Sequence, residues 1–214
     1  MYKGIDISHY QANVNWEKLK SEGFTFVIIK AGEGQNIVDS KFHEHYKNAK
    51  KYGFNVGVYW FARATTAEQA ILEARKCLNT IALYELDYPV WYDIENKASL
   101  MVANMITKAF CGEIENAGYY TGVYSSTSML RQYFDKDVRY KYDIWVADWR
   151  STCGYSEPHG MWQYTTNNET LDYNYSYKNY PEIIKNMKSK NLKTAGKQTI
   201  ELIINGESVF RKEI

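Results

Sequence analysis

The 214-residue chain is short of cysteine, of net charge and of long apolar runs, and each shortage closes off a class of explanation. Its three cysteines, Cys77, Cys111 and Cys153, are odd in number and form no C-x-x-C pair, so neither a disulfide framework nor a thiolate zinc site is supported. The 26 Lys and Arg stand against 25 Asp and Glu, so no global field favours nucleic acid or an acidic partner. No apolar run approaches the roughly 20 residues that cross a bilayer, and no membrane insertion is expected. The opening "MYKGIDIS" enters a strand-like pattern at once, without a basic segment followed by an apolar one. It reads as lacking a signal peptide, which implies synthesis in the cytoplasm. Aromatic residues, by contrast, are plentiful at 16%, with 20 Tyr and 6 Trp. Amphipathic rings of this kind pack cores and also line sites for sugars.

Apolar runs alternate with helical patterns along the chain. "KGIDIS" (3–8) is strand-like, "NWEKLKSEG" gives a short helix stopped by Gly23, and "FTFVIIKA" (24–31) is a second strand. A helix near 39–52, the strand "NVGVYWFA" (55–62), a helix over about 66–83 and the strand "YPVWYDIE" (88–95) follow. Then come a helix near 101–117 and the strand "YTGVYSS" (120–126). This repetition predicts a mainly parallel sheet with helices outside. After residue 135 helices thin out, and "DIWVADW", "GMWQYT" and "TLDYNYS" read as short strands with little between them. The expected fold is α/β, a modified (β/α) barrel that closes with helix-poor strands.

Inside one of those strands, "VWYDIEN" (90–96) keeps two carboxylates two positions apart in an otherwise apolar stretch. Strand side chains alternate, so Trp91, Asp93 and Glu95 share one face while Val90, Tyr92 and Ile94 take the other. Neighbouring carboxylates repel, and nearby rings penalise ionisation further, so one of the pair should hold a proton near neutral pH. General acid catalysis would use it, with a protonated Glu95 donating to a leaving glycosidic oxygen and an ionised Asp93 supporting the sugar. A pair of strand-end acids facing solvent, or capping the next helix, would give the same spacing. In barrels of this kind working groups sit at the C-terminal ends of strands. Asp6 falls late in the first strand and Asp172 in the last, so three strands deliver acids to one rim.

"GIDIS" (4–8) with "HYQ" following, "FVIIKAGEG" (26–34), "GVYWFAR" (57–63), "YDIE" (92–95), "GVYSS" (122–126), "WVADW" (145–149) and "WQYT" (162–165) occur in order. Together they resemble the glycoside hydrolase family 25 lysozymes, the Chalaropsis-type muramidases of phage endolysins and bacterial autolysins, over roughly residues 2–185. The resemblance implies a flattened barrel with about five helices and eight strands. It also implies cleavage of the β-1,4 bond between N-acetylmuramic acid and N-acetylglucosamine in peptidoglycan, without cofactor or metal. It places the general acid on Glu95, the second carboxylate on Asp93 and accessory acids on Asp6 and Asp172. Groove-lining positions fall on Tyr59, Phe61, Tyr124, Trp149 and Gln163, with Lys30 and Glu33 near the rim. Net retention of configuration, with the substrate's own acetamido group as nucleophile, is a further implication. Without a signal peptide, action at the cell wall would need a phage holin or another export route. The chain departs from the family pattern at Trp60, where many members carry His, and in the compact "NNETLDYN".

Other features carry less. His43 and His45 in "FHEHY" diverge by about 200° on a helix and share a metal poorly. "KNMKSKNLKTAGK" (185–197) reads as a solvated surface or a linker. Beyond it, "KQTIELIINGESVFRKEI" has apolar-rich runs on both sides of Asn205-Gly206, a strong two-residue hairpin signal. Ile200, Leu202, Ile203, Ile204, Val209 and Phe210 of such a hairpin need a surface, on the barrel or on a second chain through self-association. The expected organisation is therefore a catalytic domain over 1–189 and a hairpin tail over 190–214. Two other functions fit part of the pattern. A chitinase-like or endo-N-acetylglucosaminidase barrel also ends a strand in D-x-E, but with further acids upstream that "LDYPVWYDIE" lacks. A non-catalytic wall-binding module would keep the fold without needing all four acids.

Overall fold

In this computed structural model the backbone is described for residues 1–165, 171–194, 199–204 and 207–213, and side chains within those segments up to residue 190. The elements run β1 (Tyr2–Ile7), α1 (Trp16–Ser21), β2 (Phe24–Glu33), β3 (Ile37–Val38), α2 (Phe42–Lys51), β4 (Asn55–Phe61) and α3 (Ala67–Ile81). They continue with β5 (Val90–Asp93), α4 (Lys97–Leu100), α5 (Ala103–Asn116), β6 (Thr121–Ser126), α6 (Thr127–Tyr133), α7 (Lys136–Lys141) and β7 (Asp143–Ala147). β8 (Met161–Thr165), β9 (Asp172–Ser176), α8 (Tyr180–Thr194), β10 (Thr199–Ile204) and β11 (Glu207–Glu213) complete the chain.

The sheet runs β1-β9-β8-β7-β6-β5-β4-β2-β3, and β1 also pairs with β2, so eight strands close a barrel and β3 lies outside the ring. Pairing is parallel from β1 through β2, β4, β5, β6 and β7 to β8. β9 alone enters antiparallel to both its neighbours. The expected modified α/β barrel is thus the fold, with more helices than the five anticipated. Two of the additional short ones, α4 and α6, begin just after a strand at a capping side chain. Asn96 Oδ1 accepts from the Ala98 amide and Ser126 Oγ from the Met129 amide. Helices of four to seven residues are too short to announce themselves by periodicity.

The period-two alternation of the strands sorts the apolar side chains into two cores. Val90, Tyr92 and Ile94 point outward and join Val27, Ile29, Val58 and Trp60 beneath the helices. Trp91 points inward, into a barrel interior filled by Phe26, Ile28, Tyr88, Tyr124, Trp145 and Met161. Space for the Trp91 ring comes from Gly122 on the next strand. A Cβ there would lie 2.5 Å from Trp91 Cζ3 and 2.4 Å from the Asp143 carbonyl oxygen. Trp60 is fully buried on the outer side, its Nε1 donating to the Gly34 carbonyl oxygen at 3.0 Å. It therefore cannot touch the inner face that carries Tyr59. At the opposite end, α1 stops as expected at Gly23, whose φ of +84° suits glycine.

The N-terminal mouth of the barrel is sealed by α8. Tyr180 and Ile184 enter the inner core, and the Tyr180 hydroxyl donates to Asp143 Oδ2 at 2.8 Å. Tyr120 Oη and Lys178 Nζ donate to the same oxygen at 3.2 and 2.8 Å. Anchored this way, the helix continues to Thr194 and takes in most of the lysine-rich run, which the sequence suggested as surface or linker. β10 pairs antiparallel with β11 in a separate two-stranded sheet. The Asn205-Gly206 pair and the tail side chains lie outside the described residues. Among the described residues no helix is long and apolar enough to cross a membrane.

Candidate active site

The open end of the barrel collects the acids, and the direction of β9 explains how. A parallel strand presents its last residues at this rim, whereas antiparallel β9 presents its first, so Asp172 stands across the ladder from Asp6. On the other side of the ring Asp93, the last residue of β5, pairs in register with Phe61 of β4 and Tyr124 of β6. Glu95 lies two residues past the end of β5, exposed at the rim. Ile94 keeps the ladder going for one more bond, its amide donating to the Tyr124 carbonyl at 3.0 Å. That bond holds Asp93 and Glu95 to the same side, as alternation requires.

Asp6 is buried, and a network of five residues holds it. Gln163 Nε2 and Asn174 Nδ2 both donate to its Oδ2, at 2.9 and 2.6 Å. Gln163 Oε1 in turn accepts from Tyr124 Oη at 3.0 Å and from Trp149 Nε1 at 2.9 Å. Asn174 Oδ1 accepts from Trp145 Nε1 at 2.8 Å. One amide on each of two adjacent strands therefore ties the acid of β1 to the rings that wall the groove. Burial and the neighbouring Asp172 push the Asp6 carboxyl up to about 7, against the pull of its two amide donors.

Asp93 is 5% exposed, and its Oδ1 is buried with no hydrogen-bond partner among the described residues. Nothing offsets desolvation at that atom. Burial first, and the charge of Glu95 second, hold Asp93 well above the usual carboxylate range, while Lys30 opposes both. Glu95 is also raised, by the protein that walls it in and by Asp172, again against Lys30. The two carboxyls interact, so their protons leave in steps that belong to the pair. The general-acid reading of the sequence puts the proton on Glu95 and leaves Asp93 ionised. In the structure the stronger upward displacement is instead on Asp93, because it is the deeper of the two.

Lys30 is 8% exposed and donates to Glu33 Oε2 at 2.6 Å. Arg63 donates to Glu33 Oε1 through Nη2 at 2.9 Å. Burial pushes Glu33 up, but these two cations outweigh it and hold the carboxyl below its ordinary value. Both also flank the Phe61 ring, at 5.4 Å for Lys30 Nζ and 4.5 Å for Arg63 Cζ. Tyr59 packs on the inner core, and its phenol is pushed up by burial and by the charges of Asp6 and Asp93. Trp149 is 59% exposed, a large ring presented to solvent yet fixed through its indole N–H.

The structure therefore brings Asp6, Lys30, Glu33, Tyr59, Phe61, Asp93, Glu95, Tyr124, Trp149, Gln163 and Asp172 to one rim. Sequence reasoning passed over Asn174, Arg63 and Trp145. Asn174 was within reach, since it follows Asp172 by two and shares its face of the strand. Arg63 stood at the end of a motif already singled out. Trp145 was hidden by its ordinary appearance as a core residue. Among the described residues no cluster of three potential metal ligands occurs. His43 and His45 are engaged separately, the first with the Tyr84 hydroxyl and the second with the Ser8 carbonyl.

Comparison with known proteins points the same way. Lysozyme M1 of Streptomyces globisporus is 48% identical over 61 residues, 28% of this chain and 21% of the relative. The autolytic lysozyme of Clostridium acetobutylicum is 29% identical over 158 residues, 73% of this chain and 46% of the relative. The chain thus spans less than half the length of these two curated relatives. Among solved structures, the CTP1L endolysin superposes with a TM-score of 0.77 at 27% identity, over 87% of this chain and 70% of that one. The profile of the glycosyl hydrolases family 25 matches residues 5–173, which run from β1 into β9, so the chain belongs to that family.

Proposed function

We propose that this chain is a muramidase that hydrolyses the β-1,4 bond between N-acetylmuramic acid and N-acetylglucosamine in bacterial peptidoglycan. The observation that carries the reading is the Asp93–Glu95 pair at the open end of a family 25 barrel, where burial raises both carboxyls above their ordinary range. Glu95, the more accessible partner, gives its proton to the glycosidic oxygen as the C1–O bond breaks. Asp93, ionised in the working state with help from Lys30, holds the substrate's acetamido N–H. The acetamido carbonyl oxygen closes on C1 from the opposite face. Water then attacks C1 with Glu95 taking its proton, which reopens the ring and restores the original configuration. The exposed Trp149 ring and Tyr59 supply faces on which sugar rings stack.

Wall fragments digested by the enzyme and reduced with borohydride test the assignment. Muramitol ends are expected, because a muramidase leaves N-acetylmuramic acid at the reducing end. Glucosaminitol ends would move the chain to a glucosaminidase, and intact walls with bound protein would make it a binding module. Proton NMR of the first-formed product should show the β anomer; the α anomer would refute retention. Residues 1–189 carry this activity in our reading, and the hairpin tail takes no part in it.

A further inference from the structure

Resting on the muramidase reading, we propose that Arg131 determines specificity by binding a carboxylate on the lactyl arm of the muramic acid, in a cavity that opens beside Glu95. The cavity has a volume of about 560 Å³, and its lining includes Glu95, Tyr124, Arg131, Asp148, Trp149 and Arg150. Besides Glu95 it holds two guanidiniums and one carboxylate. Arg150 is committed to Asp148 by two hydrogen bonds of 2.8 Å, from Nε and Nη2, and a backbone amide at Gly154 supports the same carboxylate. Burial pushes Asp148 up, but those donors prevail and hold it below the usual range, so it stays anionic and neutralises Arg150. Arg131, on α6, is exposed and donates through Nη2 to the Gly154 carbonyl at 2.9 Å. That bond fixes the side chain without neutralising it, and among the described residues no carboxylate lies within ion-pair distance of the guanidinium.

With Glu95 protonated, as the general-acid role requires, the cavity therefore carries one uncompensated, preoriented cation in the same space as the group that protonates the glycosidic oxygen. A neutral glycan gives such a cation nothing to bind. Peptidoglycan does, because each muramic acid bears a lactyl ether that ends either in its own carboxylate or in a peptide with further carboxylates. A fork of N–H donors suits a carboxylate better than a hydroxyl does.

The test compares kcat/KM on two pairs of soluble substrates, each as the free acid and as the methyl ester. One pair is bare muroglycan, whose acid is the lactyl carboxylate. The other is peptide-bearing muroglycan, whose acids belong to the peptide. Using the ratio within each protein cancels any change in folding or in basal rate. Wild type should favour the acid by about five- to tenfold in at least one pair, the scale of a charge-assisted hydrogen bond in a partly screened site. Arg131→Gln should bring that ratio to about one, and Arg131→Lys should keep most of it. The pair in which the ratio collapses identifies which carboxylate is bound. A wild-type ratio near one in both pairs, an unchanged ratio in Arg131→Gln, or equal loss in Gln and Lys variants would each overturn the inference. Failure of wild type to release reducing ends from any of the four substrates would instead overturn the muramidase reading, and the inference with it.

Discussion

Replacing Asp6 with Asn should make the protein more stable at pH 8. The Asp6 carboxyl rises from an ordinary 3.8 to about 7 in the folded chain, chiefly through burial and then through Asp172. A raised value means that the folded state binds the proton more tightly than the unfolded state does. The stability this contributes is complete below about pH 4 and is lost as pH rises through about 7. At about 1.4 kcal/mol per pH unit, the displacement corresponds to a ceiling of about 4 kcal/mol lost between pH 4 and pH 8. Asn keeps the shape, lets its carbonyl oxygen accept from Gln163 and Asn174 as Asp6 Oδ2 does, and cannot ionise. Urea unfolding of both proteins at intervals from pH 4 to pH 8 reads the effect, since every other titrating group is shared. The two curves should nearly coincide at pH 4 and diverge steadily above it. At pH 8 the variant should lead by about 2–4 kcal/mol, equivalent to roughly 4–16 °C in melting temperature for a chain of this size. A variant that is less stable at pH 8, or a difference that does not change with pH, would refute the electrostatic account of this site.

Glu95→Gln removes the transferable proton while keeping the side-chain shape, so wall clearing should fall at least about a hundredfold, with the melting temperature little changed. Retained clearing would remove Glu95 from the general-acid role. Because Asp93 and Glu95 are both displaced upward, the alkaline limb of wild-type kcat/KM should lie above the ordinary carboxylate range, and a limb near pH 4 to 5 would contradict that. Truncation after about residue 190 should leave a folded, active barrel, because from Lys185 to Lys190 α8 has no fully buried side chain, whereas Tyr180 and Ile184 close the inner core. Loss of folding in that variant, measured by circular dichroism, would make the tail part of the barrel.

Sequence and structure each settled a different part of this protein. The period of two in "VWYDIEN" by itself put Trp91 and Asp93 on the face opposite Val90, Tyr92 and Ile94, because side-chain alternation is a local property of an extended backbone. Apart from the two-residue β3 and the four-residue α4, the order of strands and helices up to β6 was legible for the same reason, each element carrying its own periodicity. The ordered motifs of the family added the candidate site residues, which no single spacing could have supplied. Three matters were decided only by the tertiary structure. The direction of β9, which swings Asp172 to the rim beside Asp6, depends on how the last strand closes the ring, and nothing within five residues encodes it. The Gln163–Asn174 clamp on Asp6 joins residues 157 and 168 positions apart from it, contacts created by closure alone. Which of two adjacent carboxyls is the harder to ionise was likewise a matter of depth, and depth is set by the walls that other strands build around Asp93. Local pattern fixes which way a side chain faces; what it meets there, and how much water remains, is fixed by the rest of the chain.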